Sequence, residues 1–366
     1  MTLTHNRDLH DPVIARYLAD RIRRACHRPM RLMEVCGTHT VAIFRSGIRA
    51  LLPPDLALLS GPGCPVCVTA QKEIDAFVAL ARQPDTIVAT FGDLIRVPGS
   101  GASLQQEKAA GADVRIVYAT FDAVALAAAH PDKRVVFLGV GFETTAPTVA
   151  AAILSAHQQG LENFFVISAH KTVPPALEAL VAGDINIDGF LLPGHVSVVI
   201  GLEAYSPFFD AHRIPCVIAG FEPADLLQSI AMLAEQIDTG RPALENAYAR
   251  AVSAHGNAKA RAVVDQVFKV VDADWRGIGT IPGSGLAIRD AYAAFDAVRA
   301  FDIHLQPVPE PKGCACGAIL TGTKIPPQCP LYRTACTPMS PVGPCMVSSE
   351  GTCAAYYRYH DDRSGS

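Results

Sequence analysis

The cysteines of this chain are its most informative residues, because their spacing could support metal binding or redox chemistry. The sequence contains 11 cysteines in 366 residues. Four thiolates in a loop-rich segment can hold a [4Fe–4S] cluster or a structural zinc ion. Spacing alone neither chooses between these metals nor shows which of the C-terminal cysteines would bind. The candidates are Cys314, Cys316, Cys329, Cys336, Cys345 and Cys353.

A second group of cysteines, Cys64 and Cys67, forms a C-x-x-C motif at the start of a predicted helix. This spacing permits either a dithiol/disulfide pair or one half of a metal site. The motif follows Gly61-Pro62-Gly63, a run that shapes a tight loop. We therefore predict that the pair has a functional role.

Cys36 lies just before a predicted helix over residues 38–50, within the run Cys36–Thr40. A helix N-terminus and a nearby histidine, here His39, both favour thiolate over thiol. We predict that Cys36 binds a metal or attacks an electrophile. A buried cysteine acting as a small hydrophobic side chain is the alternative, and we expect that role for Cys26 and Cys216.

Three further polar residues follow predicted strands, namely Glu143, His170 and His195. Each is a candidate for proton transfer or iron contact in a cleft. A single histidine is as often a hydrogen-bonded structural residue, so both interpretations stay open for His170 and His195.

Eight short apolar runs predict the strands that would position these residues. The runs are nearly continuous in apolar residues, as expected for strands covered on both faces, and helical patterns separate them. We therefore predict an α/β protein with parallel sheets, whose ligands bind at the C-terminal ends of the strands. The runs are 31–35, 56–60, 86–91, 114–119, 135–140, 164–168, 189–192 and 216–219.

Two sets of four strands predict two similar parallel-sheet α/β domains around a cleft, followed by a mostly helical and loop iron–sulfur domain. We expect an N-terminal helix (1–30) packing with the third domain, α/β domain I (31–130), α/β domain II (131–222) and a helical, Cys-rich [4Fe–4S] domain III (223–366). Within domain III, residues from 223 to about 300 have a helical pattern. The proline-rich run 307–311 predicts a stiff linker.

Composition excludes several classes of function. The net charge is −4, and no run of Lys and Arg is long enough for a phosphate-binding stripe, so nucleic-acid binding is not expected. The sequence lacks a signal-peptide pattern and an uninterrupted membrane-spanning stretch. We therefore expect a cytoplasmic protein that does not enter a membrane, whose cysteines serve metal or redox chemistry.

Five motifs occur in one order, and together they resemble those of the hydrogenase formation/maturation protein HypD family along nearly the whole chain. Each is read directly from the sequence. The motifs are CGTHT (Cys36–Thr40), GPGCPVC (Gly61–Cys67), GFETTAP (Gly141–Pro147), PGHV (Pro193–Val196) and GPCMVSSEG (Gly343–Gly351).

This resemblance implies a cofactor, partners and roles for the cysteines. In the family a [4Fe–4S] cluster is held at the positions of Cys314, Cys329, Cys336 and Cys353, beside a redox-active pair that matches Cys316 and Cys345. The family assembles the Fe(CN)2CO unit of [NiFe]-hydrogenase with a small chaperone, HypC, and receives cyanide from HypE. Cys36 matches the cysteine that holds the iron together with a cysteine of the chaperone.

The resulting hypothesis assigns iron to Cys36, with His39 nearby, and electron supply to the cluster. Electrons would pass through Cys316 and Cys345 to Cys64 and Cys67. Two alternatives stay open: an iron–sulfur-dependent disulfide reductase, and a zinc-stabilised binding module without a redox role.

Overall fold

The structure is a computed structural model that describes residues 11–183 and 186–360. Its strands are β1 (Met30–Glu34), β2 (Leu56–Ser60), β3 (Thr86–Thr90), β4 (Asp113–Ile116), β5 (Arg134–Gly139), β6 (Phe164–Ser168), β7 (Gly189–Pro193), β8 (Cys216–Ala219), β9 (Leu244–Asn246), β10 (Phe268–Trp275) and β11 (Gly279–Ile288). Each of the eight predicted apolar runs overlaps one of the strands β1–β8.

Helices connect most of these strands. They are α1 (Pro12–Ala25), α2 (Gly37–Arg45), α3 (Pro65–Val68), α4 (Gln71–Ala81), α5 (Leu104–Ala109), α6 (Thr120–Ala129), α7 (Ala146–Gln158), α8 (Val173–Val181), α9 (Gly194–Ile200), α10 (Ser206–His212), α11 (Pro223–Thr239), α12 (Ala258–Val267), α13 (Ala297–Ala300), α14 (Cys316–Leu320), α15 (Pro344–Val347) and α16 (Thr352–Tyr359). Short 3-10 helices are found at Ile48–Leu51, Gly92–Arg96, Glu203–Tyr205, Asp290–Phe295 and Pro326–Gln328.

Two parallel sheets form the α/β body, which confirms the predicted fold class. One has the strand order β2-β1-β7-β8-β9 and the other has the order β4-β3-β5-β6. Every neighbouring pair within them is parallel. Their central strands are buried on both faces, which accounts for their nearly continuous apolar sequences.

The strands are grouped differently from the prediction. β1 pairs with β2 and also with β7, where Leu32 lies opposite Gly189, while β3 pairs with β5, where Val88 lies opposite Val136. The chain leaves the first sheet after β2, builds the whole second sheet, and then returns to add β7, β8 and β9. The expected boundary between 31–130 and 131–222 therefore falls inside the second sheet, because apolar patterning identifies strands without specifying their neighbours.

The predicted N-terminal helix is α1, which begins at Pro12, with the Asp11 side chain accepting a hydrogen bond from the Val13 N–H. Its apolar face packs against α11, and both helices cover the first sheet. The Arg21 guanidinium adds two hydrogen bonds to the Glu235 carboxylate, of 2.9 and 2.7 Å. Helix α11 thus packs with the first sheet, although it lies within residues 223–366.

The helical pattern predicted from 223 to about 300 is only partly right. Helices α11 and α12 form, but β9 joins the first sheet, and β10 and β11 pair as an antiparallel hairpin. Phe268 and Trp275, at the two ends of β10, are buried. Burial of these ring systems against the α/β body stabilises a strand that local propensity alone does not distinguish from a helix.

The Cys-rich segment packs directly on the α/β body. Phe44 of α2 contacts Tyr356 of α16 edge to face, with ring centroids 4.7 Å apart, and α15 packs against α3. The segment therefore touches both the helix that follows Cys36 and the helix that contains the C-x-x-C motif. Throughout 11–183 and 186–360, each helix is too short or too polar to cross the apolar core of a membrane.

Candidate thiol and cysteine-cavity site

The loops after β1 and β2 meet at Cys36. The Gly37 N–H donates a hydrogen bond of 2.8 Å to the Gly63 carbonyl, and the two backbones lie in contact. A Cβ built on Gly63 would lie 2.1 Å from the Cys36 nitrogen, so only glycine fits there without displacing backbone. The Gly-Pro-Gly run thus places the C-x-x-C motif beside Cys36.

Cys36 caps the N-terminus of α2 and is buried, with 7% of its surface exposed. The pKa of its thiol is raised to about 12, chiefly by burial and also by the nearby carboxylates of Glu350 and Glu34. The backbone N–H groups of His39 and Thr38 lower the pKa, as expected at a helix N-terminus, but by less. The expected preference for thiolate is therefore wrong for the protein alone. A bound cation would reverse it.

The predicted cleft exists as a cavity of about 410 Å³ in which Cys36 and His195 both lie. The His195 ring stacks on Phe221 with centroids 3.8 Å apart, and burial lowers the pKa of the imidazole. Loops from both sheets and the Cys-rich segment contribute to the wall. The wall includes Cys36, Thr38, Gly63, Pro65, Phe142, Thr144, Thr145, Pro193, His195 and Glu350.

Glu350 is the residue of this cavity that sequence reasoning did not single out. The Thr38 hydroxyl donates a hydrogen bond of 2.6 Å to Glu350 Oε1, and a Cβ on Gly37 would lie 2.6 Å from Glu350 Cβ. Glu350 is the one charged residue in the motif Gly343–Gly351, and that was the available signal. Through it, the Cys-rich segment completes the wall around Cys36.

His39 lies close to Cys36 in sequence but turns away from the cavity wall. Its Nε2 is 3.3 Å from the Ala219 carbonyl oxygen, and its ring lies against Phe221. Burial lowers the pKa of His39 to about 4. His170 is likewise buried, 3.0 Å from the Ser168 hydroxyl, and neither ring lines the Cys36 cavity.

Glu143 is also separated from Cys36. Its neighbours Phe142 and Thr144 line the Cys36 cavity, but Glu143 lines a different cavity of about 330 Å³. Its Oε1 accepts a hydrogen bond of 2.8 Å from the Val173 N–H, and burial raises the pKa of the carboxyl to about 7. The motif Gly141–Pro147 is thus part of the wall of the Cys36 cavity, while Glu143 lines the other cavity.

Cys64 and Cys67 are paired as a disulfide with their Cα atoms 5.2 Å apart. Cys64 is the N-cap of α3, as predicted, and its sulfur accepts a hydrogen bond of 3.2 Å from the Cys67 N–H. Its Sγ also lies 3.3 Å from the hydroxyl of Ser348, in the Cys-rich segment. The disulfide is therefore enclosed between the α/β body and that segment.

All six C-terminal cysteines line one small cavity of about 20 Å³. The sulfurs of Cys316 and Cys345 are 3.2 Å apart at its wall, and a Cβ on Gly343 would lie 3.0 Å from the Cys314 sulfur. In the described part of the chain, no three His, Cys, Asp or Glu side chains converge as the ligands of a single ion would. The cysteines surround a shared space instead.

These features define a class: a two-sheet α/β protein with a cleft thiol, an adjacent disulfide and a cysteine-lined cavity packed against it. The chain belongs to the HypD family. The HypD family model, described as "Hydrogenase formation hypA family", matches residues 13–360, which confirms the resemblance seen in the motifs.

Relatives from bacteria and archaea match nearly end to end. The chain is 47% identical over 366 residues to "Hydrogenase maturation factor HypD" of Azotobacter vinelandii, covering 97% of each chain. It is 46% identical to "Hydrogenase maturation factor HypD" of Rhodobacter capsulatus, covering 98% of each. It is also 42% identical to "Putative hydrogenase expression/formation protein MJ0993" of Methanocaldococcus jannaschii, covering 96% of this chain and 99% of that protein.

Proposed function

We propose that this protein is a hydrogenase maturation factor of the cytoplasm, and that the Fe(CN)2CO unit of a [NiFe]-hydrogenase is assembled at Cys36. Membership of a family of hydrogenase formation proteins supports the general role. The observation that carries the specific role is the placement of Cys36 in a cavity beside a disulfide, closed by the cysteine-rich segment.

The incoming iron is the substrate of this site rather than a resident cofactor. Thiolate is a donor suited to soft iron that carries cyanide and CO ligands. Because burial holds the Cys36 thiol protonated, binding the metal must release a proton from Cys36. Iron would be loaded by exchange of that proton for the metal, with a second thiolate supplied by a HypC-type chaperone and cyanide by a HypE-type donor.

The partner would approach along a shallow groove that adjoins the Cys36 cavity. This groove, of about 520 Å³, shares Thr38 and Glu350 with the cavity and runs along α2 past Val41 and Arg45. A chain terminus lying in it would reach Cys36 without entering through the packed sheets. The mixed apolar and charged lining suits a protein segment rather than a small molecule alone.

The cysteine cavity fits a [4Fe–4S] cluster by its donor chemistry. Its wall carries six sulfur donors, five of them buried, and they surround a space instead of converging on one point. Following the resemblance to the HypD family, we assign Cys314, Cys329, Cys336 and Cys353 as ligands and Cys316 and Cys345 as a redox pair. A cluster held there would supply single electrons.

Thiol exchange within the chain would then use residues already in place. Cys316 and Cys345 are close enough to form a disulfide after a small rotation of their side chains. The sulfurs of this pair and of Cys64 and Cys67 belong to one buried hydrophobic cluster. Reduction of the Cys64–Cys67 disulfide consumes two electrons and two protons and yields two thiols.

Substitution of Cys36 tests the proposal. Cys36→Ala should abolish maturation of a co-expressed [NiFe]-hydrogenase and remove cyanide and CO stretching bands from the anaerobically purified complex with the chaperone. The visible absorption of a cluster bound in the cysteine cavity should persist. Cys26→Ala is the matched control, because Cys26 lies at the end of α1, which covers the first sheet, and lines neither the Cys36 cavity nor the cysteine cavity. Retained infrared bands in Cys36→Ala would refute the assignment.

A disulfide reductase is the second candidate, and the enclosed Cys64–Cys67 disulfide next to a cysteine cavity favours it. Multiple turnover of a protein or small disulfide with a ferredoxin-like donor, undiminished in Cys36→Ala, would select this function. A zinc-stabilised module would instead contain about one zinc and no sulfide per chain.

A further inference from the structure

One chain of polar contacts leads from the buried Cys64 sulfur toward the protein surface. Cys64 Sγ lies 3.3 Å from the Ser348 hydroxyl, and that hydroxyl lies 3.3 Å from Asp93 Oδ2. Cys64 and Ser348 are 4% and 2% exposed, whereas Asp93 is partly exposed. The three residues come from three different segments: the C-x-x-C loop, the Cys-rich segment and the 3-10 helix after β3.

Disulfide chemistry at this place requires proton movement. Opening the disulfide to two thiols needs two electrons and two protons, and closing it releases the same number. Cys64 and Cys67 are 4% and 0% exposed, so neither residue lies open to bulk water. Electrons can cross several ångströms of protein by tunnelling, but a proton needs a continuous line of hydrogen-bonding groups.

We propose that Ser348 and Asp93 form a proton relay that connects the sulfur of Cys64 with solvent whenever the Cys64–Cys67 disulfide opens or closes. In the closing direction the Cys64 S–H donates to Ser348 Oγ, and the Ser348 O–H passes its proton to the Asp93 carboxylate. In the opening direction a one-electron donor of the iron–sulfur or viologen class supplies two electrons in turn, and the same bonds run in reverse; on closing, the oxidised form of that donor takes the two electrons back. The first proton moves on from Cys64 to Cys67, and the second stays on Cys64.

The carboxylate end of the relay is held in one orientation. Asp93 Oδ2 accepts hydrogen bonds of 3.0 Å from both the Ser349 N–H and the Ser349 hydroxyl, in addition to the contact with Ser348. The Ser348 hydroxyl is itself fixed as an acceptor by the Glu350 N–H at 3.2 Å. A hydroxyl fixed in this way has its remaining lone pair and proton directed to Cys64 and Asp93.

Ser349 supplies a matched control for Ser348. The two serines are adjacent, and both hydroxyls contact Asp93 Oδ2, but it is the Ser348 hydroxyl that contacts the Cys64 sulfur. Removing the Ser349 hydroxyl therefore changes the surroundings of Asp93 without breaking the line to the sulfur. The relay makes the reduction rate depend far more on the Ser348 hydroxyl than on the Ser349 hydroxyl, whereas a purely structural network would give the two hydroxyls similar effects.

The experiment measures the rate of disulfide reduction in the anaerobic full-length protein. Reduced methyl viologen is a one-electron donor, so two molecules supply the electrons for one disulfide, without entering the buried site of Cys64 and Cys67. Rapid acid quench and alkylation then count the thiols on the peptide containing Cys64. Ser348→Ala should slow reduction about a hundredfold, the lower end of the range for assisted proton transfer. Ser348→Thr, which keeps a hydroxyl, should restore most of the rate. Ser349→Ala, which keeps the hydrogen bond from the Ser349 N–H to Asp93 Oδ2, should slow reduction far less than Ser348→Ala.

Asp93→Asn should slow reduction and change the solvent deuterium isotope effect, which a merely structural role would not alter. Equal rates in Ser348→Ala and Ser349→Ala would overturn the relay. The inference rests on the proposed function only for the reason why the Cys64–Cys67 disulfide opens and closes; the relay itself does not depend on it. If Ser348→Ala slows reduction while hydrogenase maturation stays normal, the relay stands and the proposed electron route fails. If maturation is lost while the reduction rate is unchanged, the relay fails.

Discussion

The backbone of Gly63 lies directly against the backbone of Cys36, which joins the loops after β1 and β2 into one wall of the cavity. A Cβ at Gly63 would lie 2.1 Å from the Cys36 nitrogen and 2.4 Å from the Cys36 Cα. No side-chain rotation can relieve a clash with backbone, so the two loops would have to separate. Cys36 and the disulfide would then lose their shared position.

Gly63→Ala should therefore lower the free energy of unfolding by about 2 kcal/mol, within the range for overpacked sites. Urea denaturation checks this value, and alkylation of Cys36 in the native protein reports loosening of the cavity. Gly101→Ala is the control, because a Cβ there meets nothing within 4 Å. Equal stability of the two variants would contradict the prediction, because it would mean that the loops after β1 and β2 can separate without loss of folding free energy.

The buried carboxyl of Glu143 predicts a pH dependence of stability. Burial raises its pKa from an ordinary value of 4.5 to about 7 in the folded protein. Between those values the unfolded chain has released the proton that the folded chain still binds, so the free energy of unfolding falls as pH rises. The loss associated with this group is on the order of 3 kcal/mol across the interval.

Glu143→Gln should remove this dependence, because glutamine stays neutral. The variant should match the unmodified protein near pH 4.5 and exceed it in stability near pH 7, by urea denaturation at each pH. Glu34, whose pKa burial also raises to about 7, and His39 contribute equally in both proteins and cancel in the difference. Exposed Glu162→Gln should show no such divergence. A constant difference between Glu143→Gln and the unmodified protein would contradict the prediction.

The cysteine cavity predicts two kinds of cysteine variant. Cys329→Ala removes one of the four proposed ligands, so anaerobically purified protein should lose most of its iron and sulfide together with its visible absorption. Cys316→Ala removes one member of the close sulfur pair, 3.2 Å from Cys345, and should retain iron and sulfide while losing electron delivery to the Cys64–Cys67 disulfide. Elemental analysis and the viologen reduction assay separate these effects. Loss of iron in both variants would show that Cys316 is itself a ligand.

Much of the local structure could be predicted from the sequence. The start of α1 follows from Asp11 and Pro12, and the strands β1–β8 follow from continuous apolar runs, because both signals act over a few neighbouring residues. The gathering of Cys36, Gly63 and His195 at one cavity follows from the rule that parallel strands place their C-terminal ends together.

The remaining features depend on contacts between distant residues. Pairing of β1 with β7 brings Leu32 beside Gly189, and nothing in either run specifies that partner. The thiol of Cys36 keeps its proton because the fold buries it, an effect that opposes the visible helix N-terminus. Glu350 enters the cavity through tertiary packing of the last segment, so motif spacing could not place it beside Thr38.

Arg276 provides the final prediction, because it joins the segment after the C-x-x-C helix to the hairpin and the linker. Its side chain is 1% exposed, and its Nε and Nη1 donate hydrogen bonds of 2.9 Å to the Thr69 carbonyl and to Gln71 Oε1. Nη1 also lies 2.8 Å from Glu310 Oε2, in the proline-rich run. Arg276→Gln should lower the free energy of unfolding by about 3 kcal/mol, since buried acceptors lose their donor.

Glu310→Gln is the matched control for Arg276→Gln. The Glu310 side chain is 41% exposed, so its loss removes only a solvent-screened contact and should cost less than about 1 kcal/mol. Urea denaturation of both variants gives the comparison. Arg276 also holds the carbonyl of Thr69, the residue that directly follows α3, and α3 contains Cys67. Arg276→Gln should therefore speed alkylation of Cys64 and Cys67 after the disulfide is reduced. Similar stability losses in the two variants would place the strength of this network in the ion pair instead of the buried hydrogen bonds.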